Sequence, residues 1–155
     1  SQIQGVSVTE LTQISDERGS ILHVLRADDP GFLGFGECYF SEVLTGVVKA
    51  WKCHSLQTQE VAVPVGRIRM VIYDDRENAE TKGQLQLLEL GRPDAYYRLR
   101  IPPGLWYGFQ CISDGPALLV NCADLPHDPA EAQQRPMNDP NIPYQWTTQE
   151  FSTDK

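Results

Sequence analysis

The side chains of this sequence alternate between apolar and polar over short runs, and this pattern constrains the fold more than any other feature. Ile68, Met70 and Ile72 take every second position of one such run, which is the two-residue period of a β-strand. Turn signals such as Asp16-Glu17-Arg18-Gly19 and Ser113-Asp114-Gly115-Pro116 recur between the runs. Many short strands separated by turns predict an all-β sandwich or barrel.

The chain has 155 residues, which suits a single domain with one hydrophobic core. Prolines accumulate after residue 125, and proline cannot occupy a central strand because it lacks the amide donor. We therefore predict a barrel over residues 1–125 and a proline-rich tail over residues 126–155. Tyr144, Trp146 and Phe151 are too apolar for a free segment, so the tail is expected to pack on the barrel. Its one helix-like stretch, residues 129–134, is too short to be expected to matter.

The formal net charge is −8 and the sequence pI is about 4.8. This balance argues against non-specific binding to nucleic acid or to an anionic membrane, since both require clustered positive charge. The four cysteines form no C-x-x-C pair, which favours reduced thiols over a disulfide scaffold. No basic and apolar leader and no span-length apolar run are present. We expect a cytoplasmic protein.

Two stretches carry candidate functional residues. In the first, Gly46 is followed after five residues by Lys52-Cys53-His54, and then by Glu60 and Gly66. The second runs Pro102-Pro103-Gly104-Leu105-Trp106-Tyr107. Together they resemble the two metal-binding motifs of the cupin family, and the resemblance implies a cupin-type double-stranded β-helix, a jelly-roll barrel. Strand alternation places positions 52 and 54 on one face, so Lys52, His54, Glu60 and Tyr107 are predicted to point inside.

The cupin motifs hold a metal through two histidines, a glutamate and a further histidine, but two of these four positions carry Lys52 and Tyr107 here. A protonated lysine has no lone pair to give, and a tyrosine is a poor ligand at neutral pH. His54 and Glu60 alone are too few for a tight site. We therefore expect no metal and no other cofactor.

An ordered series of motifs from about Ser15 to Trp146 resembles the dTDP-4-dehydrorhamnose 3,5-epimerase family. The matching elements are Asp16-Glu17-Arg18-Gly19, the segment Gly46 to Lys52, Tyr73-Asp74-Asp75-Arg76, the segment Ile101 to Phe109, Asn138-Asp139-Pro140 and Trp146. A weaker similarity to the dTDP-sugar 3,4-ketoisomerases rests on Tyr39, on Lys49 to His54 and on Ile101-Pro102-Pro103.

The resemblance implies proton abstraction beside the ketone of a 4-keto-6-deoxy sugar and reprotonation from the other face, which requires a base and an acid. The family's catalytic histidine falls at Lys52, its acid tyrosine at Val120, and its orienting aspartate after Trp146. Because these positions depart from the family pattern, two interpretations stay open. The first is a nucleotide-sugar epimerase or isomerase of deoxysugar or polysaccharide biosynthesis that uses Lys52, His54 and Tyr107. The second is a non-catalytic barrel that binds a sugar nucleotide or acts as a scaffold.

The expected ligand is a sugar carried on a nucleoside diphosphate. Arg18 and Lys49 keep a positive charge where the resemblance implies contacts to the diphosphate and sugar, and charged hydrogen bonds to phosphate are strong. Gln59 falls at a family lysine, His23 at a family glutamate, and Tyr39 comes from the ketoisomerase likeness; all three are predicted to contact substrate. The resemblance also implies a homodimer.

Overall fold

The computed structural model describes residues 2–147, which form twelve strands and one 3₁₀ turn. The strands are β1 Ser7–Glu10, β2 Gln13–Asp16, β3 Gly19–Leu22, β4 Glu37–Val43, β5 Val48–His54, β6 Gln59–Val65, β7 Arg67–Asp74, β8 Leu85–Gly91, β9 Tyr97–Ile101, β10 Leu105–Cys111, β11 Ala117–Ala123 and β12 Ala132–Gln134; the 3₁₀ turn is Pro129–Glu131. Within this range, no helix has the length and apolar character needed to cross a membrane.

Two five-stranded antiparallel sheets face each other. Sheet I has the order β1-β9-β6-β11-β4 and sheet II the order β12-β5-β10-β7-β8, while β2 and β3 form a separate hairpin. Neighbouring strands within a sheet are mostly far apart in the chain, as in a jelly roll. The all-β cupin-type barrel predicted from the sequence is confirmed.

The space between the sheets holds the main core. Ile68, Met70 and Ile72 on β7 are fully buried, and they pack against apolar residues of sheet I such as Val63 and Leu119. The alternation that predicted β7 therefore reflects a strand with one face in this core.

The outer face of sheet II is covered by the chain after β11. Trp51 is buried there beside Trp106 and Ile142, and its ring centroid lies 5.3 Å from that of Trp146. Tyr144 and Trp146 thus pack on the barrel, whereas Phe151 lies outside the described residues.

The stretch 129–134 matters more than the sequence suggested. Its first half is the 3₁₀ turn, which Asp128 caps by accepting from the backbone N–H of Ala130. Its second half is β12, which pairs with β5 at the edge of sheet II. The expectation that this stretch is unimportant was wrong because a short capped turn is enough to place Glu131 beside His54.

A β-bulge in β5 positions both lysines of the first motif. Tyr107 on β10 lies opposite Lys52, but the next residue, Gly108, lies opposite Ala50, so Trp51 is the extra residue. Three positions apart on a regular strand, Lys49 and Lys52 would face opposite sides of the sheet. With the bulge, both line the same cavity.

Gly108→Ala is expected to destabilise the protein and to disturb this bulge. A Cβ at position 108 would lie 2.4 Å from the Cβ of Ala50 and 3.1 Å from Cζ2 of Trp146, and neither atom is the end of a flexible chain. Overpacking of this kind costs about 1–3 kcal/mol, or roughly 3–10 °C in melting temperature for a domain of this size. Gly115→Ala is the control, since nothing lies within 4 Å of its Cβ position. Equal melting temperatures for both variants in a thermal scan would contradict the prediction.

Candidate active site

A cavity of about 370 Å³ opens between the two sheets. Sheet I contributes Tyr39, Ser41 and Asn121 to its wall, and sheet II contributes Lys49, Lys52 and Tyr107, among others. Gln134 and Arg135, from the segment after β11, complete the wall on the side of sheet II.

Positive charge dominates the cavity wall. Lys49, Lys52 and Arg135 line it, and no Asp or Glu is among its described lining residues. The Lys49 ammonium donates to Ser41 Oγ at 3.0 Å and to the Glu42 carbonyl at 2.7 Å. Within residues 2–147, the Lys52 ammonium has no hydrogen-bond or ion-pair partner. The cavity therefore suits an anionic ligand.

Arg135 is held at the cavity by contacts on two sides. Its backbone exchanges two hydrogen bonds with Trp51, and its guanidinium lies 4.3 Å from the centre of the Trp106 ring, a cation–π distance. Its Nε is 3.8 Å from an Asp139 carboxylate oxygen. Arg135 therefore lies between the cavity and the Trp106 cluster on the outer face of sheet II.

A hydrogen-bonded row of three side chains leads away from the cavity on the side of sheet II. Tyr107 lines the cavity, and its hydroxyl lies 3.3 Å from Nε2 of His54. Nδ1 of His54 lies 2.5 Å from Oε1 of Glu131. The other oxygen of Glu131 accepts from the backbone N–H groups of Leu56 and Gln57, at 2.9 and 3.1 Å.

Hydrogen bonding decides the charge of Glu131. Burial alone would raise the pKa of this carboxyl, but the hydrogen bonds from His54, Leu56 and Gln57 outweigh burial and hold the pKa at about 2. Burial raises the pKa of Tyr107 far above its ordinary value. At neutral pH the row therefore has a carboxylate at one end and a protonated phenol at the other.

A second hydrogen-bonded group lies on the opposite wall. The Asn121 amide donates to the Tyr39 hydroxyl at 3.0 Å and also to Oε1 of Gln59. The backbone N–H of Glu60 donates to the side-chain oxygen Oδ1 of Asn121 at 3.2 Å. Burial raises the pKa of Tyr39, against the lowering effect of the Asn121 hydrogen bond, so this hydroxyl also keeps its proton.

The structure brings most of the sequence-predicted residues together. Lys49, Lys52, Tyr107 and Tyr39 line the cavity. His54 stands directly behind Tyr107. The structure shows that these residues lie close together, whereas their catalytic and binding roles remain predictions.

Three other predicted positions lie elsewhere. Gln59 is buried and contacts Asn121 instead of lining the cavity. Arg18 lies at the tip of the β2–β3 hairpin, mostly exposed and paired with Asp16. His23 follows the hairpin, and its carbonyl accepts from the Tyr96 hydroxyl. Within one chain neither Arg18 nor His23 reaches the cavity, because the hairpin forms a sheet of its own.

The prediction that Glu60 points inside was wrong. Its carboxylate binds Arg98 Nε at 3.1 Å and Arg100 Nε at 2.8 Å. Arg98 also binds the Val24 carbonyl, on the outer side of sheet I. Since Val61, the next residue, lines the cavity, strand alternation turns Glu60 away from it.

Val120, where the family's acid tyrosine falls, also faces outward: it packs with Leu11, Ala62 and Tyr96 on the outer side of sheet I. Its neighbours Leu119 and Asn121 line the cavity instead. The stretch after Trp146, where the family's aspartate falls, lies almost wholly outside the described residues.

Sequence reasoning missed Glu131, Asn121 and Arg135. The Asp128-Pro129 pair is a helix-start signal and could have flagged the turn that carries Glu131. No comparable sequence signal distinguishes Asn121 or Arg135.

The donor set does not suit a metal ion. Among residues 2–147, no group of three or more His, Cys, Asp or Glu side chains is arranged to hold one. Of the two cupin ligand types retained, Glu60 is bound to two arginines, and both nitrogens of His54 lie against other side chains. The metal of the cupin pattern does not fit these residues.

Comparison with known proteins is consistent across sequence and structure. The sequence profile of the dTDP-4-dehydrorhamnose 3,5-epimerase family matches residues 1–155. A dTDP sugar isomerase from Desulfovibrio desulfuricans, known from its crystal structure, is 53% identical to this chain in sequence. The two structures match with a TM-score of 0.91 over 93% of this chain and 92% of that chain. A protein of Haloferax volcanii, named as a probable low-salt glycan biosynthesis epimerase, is 38% identical over 121 residues, 77% of each chain. The spore coat polysaccharide biosynthesis protein SpsL of Bacillus subtilis is 30% identical over 149 residues, 95% of this chain and 98% of that one.

Proposed function

The chain belongs to the dTDP-4-dehydrorhamnose 3,5-epimerase family, and we propose that it acts on a 4-keto-6-deoxy sugar carried on a nucleoside diphosphate. Family membership makes it a nucleotide-sugar epimerase or isomerase of sugar or polysaccharide biosynthesis. The resemblance drawn from the sequence motifs is thereby confirmed. The sugar, the nucleotide and the residues that perform the chemistry belong to the proposal.

The observation that carries the proposal is the charge of the cavity. Among the described residues, three cationic ones and no Asp or Glu line it, in a chain whose net charge is −8. A diphosphate supplies the negative charge that such a wall would neutralise, and charge-assisted hydrogen bonds to phosphate oxygens are stronger than neutral ones.

The two walls offer the groups that an epimerisation needs. On sheet II, Lys52 stands directly opposite Tyr107; its amine, after the ammonium has lost a proton to solvent, would take the proton from the carbon beside the ketone, while the Tyr107 hydroxyl donates to the ketone oxygen. On sheet I, Tyr39 would return a proton to the same carbon from the other face. General acid–base groups placed in this way contribute about 10²–10⁴ in rate each.

A ketoisomerisation is the second candidate function. Moving a proton between neighbouring carbons on one face of the sugar needs groups on one wall only, and Lys52 and Tyr107 share that wall. The Desulfovibrio structure described above is named as a dTDP sugar isomerase, a term that covers both candidates.

One experiment separates the two candidates and tests both. The protein is incubated in deuterated water with a panel of nucleoside-diphosphate 4-keto-6-deoxy sugars, and the products are identified by NMR. Deuterium at an inverted carbon next to the ketone indicates epimerisation, and a shifted keto group indicates isomerisation. If no sugar of the panel exchanges a proton, the enzymatic proposal is wrong and the binding interpretation replaces it.

Lys49→Ala is expected to weaken nucleoside-diphosphate binding by about 10- to 150-fold, because a hydrogen bond to a charged group contributes roughly 1.5–3 kcal/mol. Isothermal titration calorimetry with the nucleoside diphosphate measures the change. Lys82→Ala is the matched control, because Lys82 is paired with Asp75 and does not line the cavity. Equal affinities of the two variants would remove Lys49 from the binding site.

A homodimer in the cytoplasm completes the proposal. Ile14 and Ile21, opposite each other on the β2–β3 hairpin, and Phe40 on the sheet edge strand β4 are all more than half exposed. A second chain covering these residues would remove apolar surface from water. The same hairpin carries Arg18, which a dimer could bring to the partner's cavity. The four cysteines are free, in keeping with a reducing compartment.

A further inference from the structure

The segment after β11 places a buried carboxylate behind the cavity wall, and the roles proposed so far do not use it. Glu131 is only 8% exposed and does not line the cavity. Its Oε1 lies 2.5 Å from Nδ1 of His54. A buried charge is costly unless it is fully hydrogen-bonded, so its position calls for a physical account.

The carboxylate is fixed from several directions. Oε2 accepts from the backbone N–H groups of Leu56 and Gln57. The Glu131 carbonyl accepts from both the backbone N–H and the hydroxyl of Ser55, each at 2.9 Å. Asp128 caps the turn that carries it. Glu131 is therefore clamped to the β5–β6 loop and cannot turn away from His54.

This arrangement fixes where the His54 protons lie. An ionised carboxylate only accepts hydrogen bonds, so Nδ1 of His54 carries a proton. Nε2 is then the nitrogen that faces the Tyr107 hydroxyl, at 3.3 Å. The two rings lie nearly parallel, with an interplanar angle of 16°.

We propose that Glu131 is a positioning residue, which holds the Nδ1 proton of His54 so that Nε2 can pass a proton to and from the Tyr107 hydroxyl in the cavity. The inference rests on the proposed function, since it assigns to this relay the protonation of the ketone oxygen. Neither of the catalytic partners named for the family, at positions 52 and 120, takes part in it.

The proton balance of the relay closes within one turnover. As Lys52 takes the proton from carbon, the ketone oxygen takes the proton of Tyr107, and Tyr107 takes the Nε2 proton of the imidazolium form of His54. When Tyr39 reprotonates the carbon, the enol proton returns to Tyr107 and the Nε2 proton returns to His54; solvent water then takes the proton from Lys52 and returns one to Tyr39. Glu131 stays ionised throughout and stabilises the imidazolium. Besides Glu131, the titratable groups that act on Tyr107 are Tyr39 and Cys53.

The test compares Glu131→Gln with Glu89→Gln. Both variants remove a carboxylate charge and keep the size of the side chain, but Glu89 pairs with Arg67 and does not line the cavity. We expect deuterium exchange into the keto sugar to fall about 100-fold or more in Glu131→Gln, with nucleoside-diphosphate affinity within about threefold. Glu89→Gln should stay within about threefold of the wild type in both.

A spectroscopic measurement distinguishes a Glu131 that sets the protonation of His54 from one that only stabilises the fold. The chain has three histidines, and loss of one ¹⁵N imidazole signal in His54→Asn assigns His54. Nδ1 of His54 should be protonated in the wild type, with a strongly deshielded proton that disappears in Glu131→Gln and persists in Glu89→Gln. If Glu131→Gln does not fold, Glu131→Asp takes its place: its shorter side chain withdraws the carboxylate from Nδ1 of His54, and we expect slower exchange together with a weakened Nδ1 proton signal.

The outcomes distinguish this inference from the proposed function. Exchange by the wild type that survives in Glu131→Gln, or a wild-type His54 without a proton on Nδ1, overturns the inference alone. Absence of exchange in the wild type on every sugar tried overturns the proposed function. The NMR result then still decides whether Glu131 sets the protonation of His54.

Discussion

Lys52→Met is expected to abolish proton exchange at the carbon beside the ketone, while nucleoside-diphosphate affinity stays within about tenfold, or 1.4 kcal/mol. Lys52 lines the cavity, stands opposite Tyr107 and has no described partner for its ammonium group. A base must be free to approach the substrate, and Lys52 meets this condition where Lys49, bound to Ser41 and Glu42, does not. Methionine keeps much of the length and apolar character of the side chain, so the loss reports on the amine.

The measurement is deuterium incorporation at saturating substrate, together with calorimetry on the nucleoside diphosphate. If affinity falls by much more than tenfold and exchange at saturation is kept, Lys52 is a diphosphate anchor rather than the base. Exchange that survives in Lys52→Met but vanishes in His54→Asn would move the base to His54. Lys49→Met serves as the control, because it removes a neighbouring cation from the same strand and is expected to cost affinity first.

The sequence predicted the barrel because its strands keep a strict period of two where one face enters the core. Ile68, Met70 and Ile72 show this on β7, and the same rule correctly placed Lys52, His54 and Tyr107 on the inner side. The rule says which residues share a face of the strand, but not which face points inward, and one added residue exchanges the two faces. Motif spacing assigned Glu60 to the inner face of its strand, which was wrong. The two arginines that bind its carboxylate lie on β9, far along the chain, so the sequence near Glu60 does not reveal them.

The rest of the site depends on contacts between distant segments. Glu131 meets His54 across 77 positions of sequence, and Arg135 reaches the cavity because its backbone pairs with the bulge residue Trp51. Neither contact follows from local propensity, since a three-residue turn and a three-residue strand are too short to leave a periodic signal. Asn121 was missed for another reason. Counting from the second motif placed the position of the family's acid at Val120, whereas strand alternation puts the next residue, Asn121, in the cavity wall.

Tyr39→Phe is expected to separate proton abstraction from inversion. In this variant the epimerised product should form about 10²–10⁴-fold more slowly, while deuterium continues to enter the recovered, uninverted substrate. The reason is geometric: Tyr39 lies on sheet I, whereas Lys52 and Tyr107 lie on sheet II. With the acid of one wall removed, the carbon can regain a proton only from the wall that took it.

The hydrogen bonds around Tyr39 make its proton available for this step. The Asn121 amide donates to the Tyr39 oxygen, and Gln59 and the Glu60 backbone fix the orientation of that amide. Tyr39 is therefore an acceptor toward Asn121, and its own O–H is left to point to a ligand. Gln59→Ala should consequently slow inversion by releasing Asn121, although Gln59 does not line the cavity.

Tyr97→Phe is the matched control, because its hydroxyl donates to the Asp94 carbonyl outside the cavity and its loss should leave both rates unchanged. NMR of the product mixture gives the inverted fraction, and mass spectrometry gives the deuterium content of each sugar. Wild-type rates of inversion in Tyr39→Phe would remove Tyr39 from the reaction.

The wild type would give a different result if it moves the keto group instead of inverting a carbon. If Tyr107→Phe then stops this movement while Tyr39→Phe does not, both proton transfers occur on sheet II. The enzyme is then a ketoisomerase, because a reaction confined to one wall has no means of inverting a carbon.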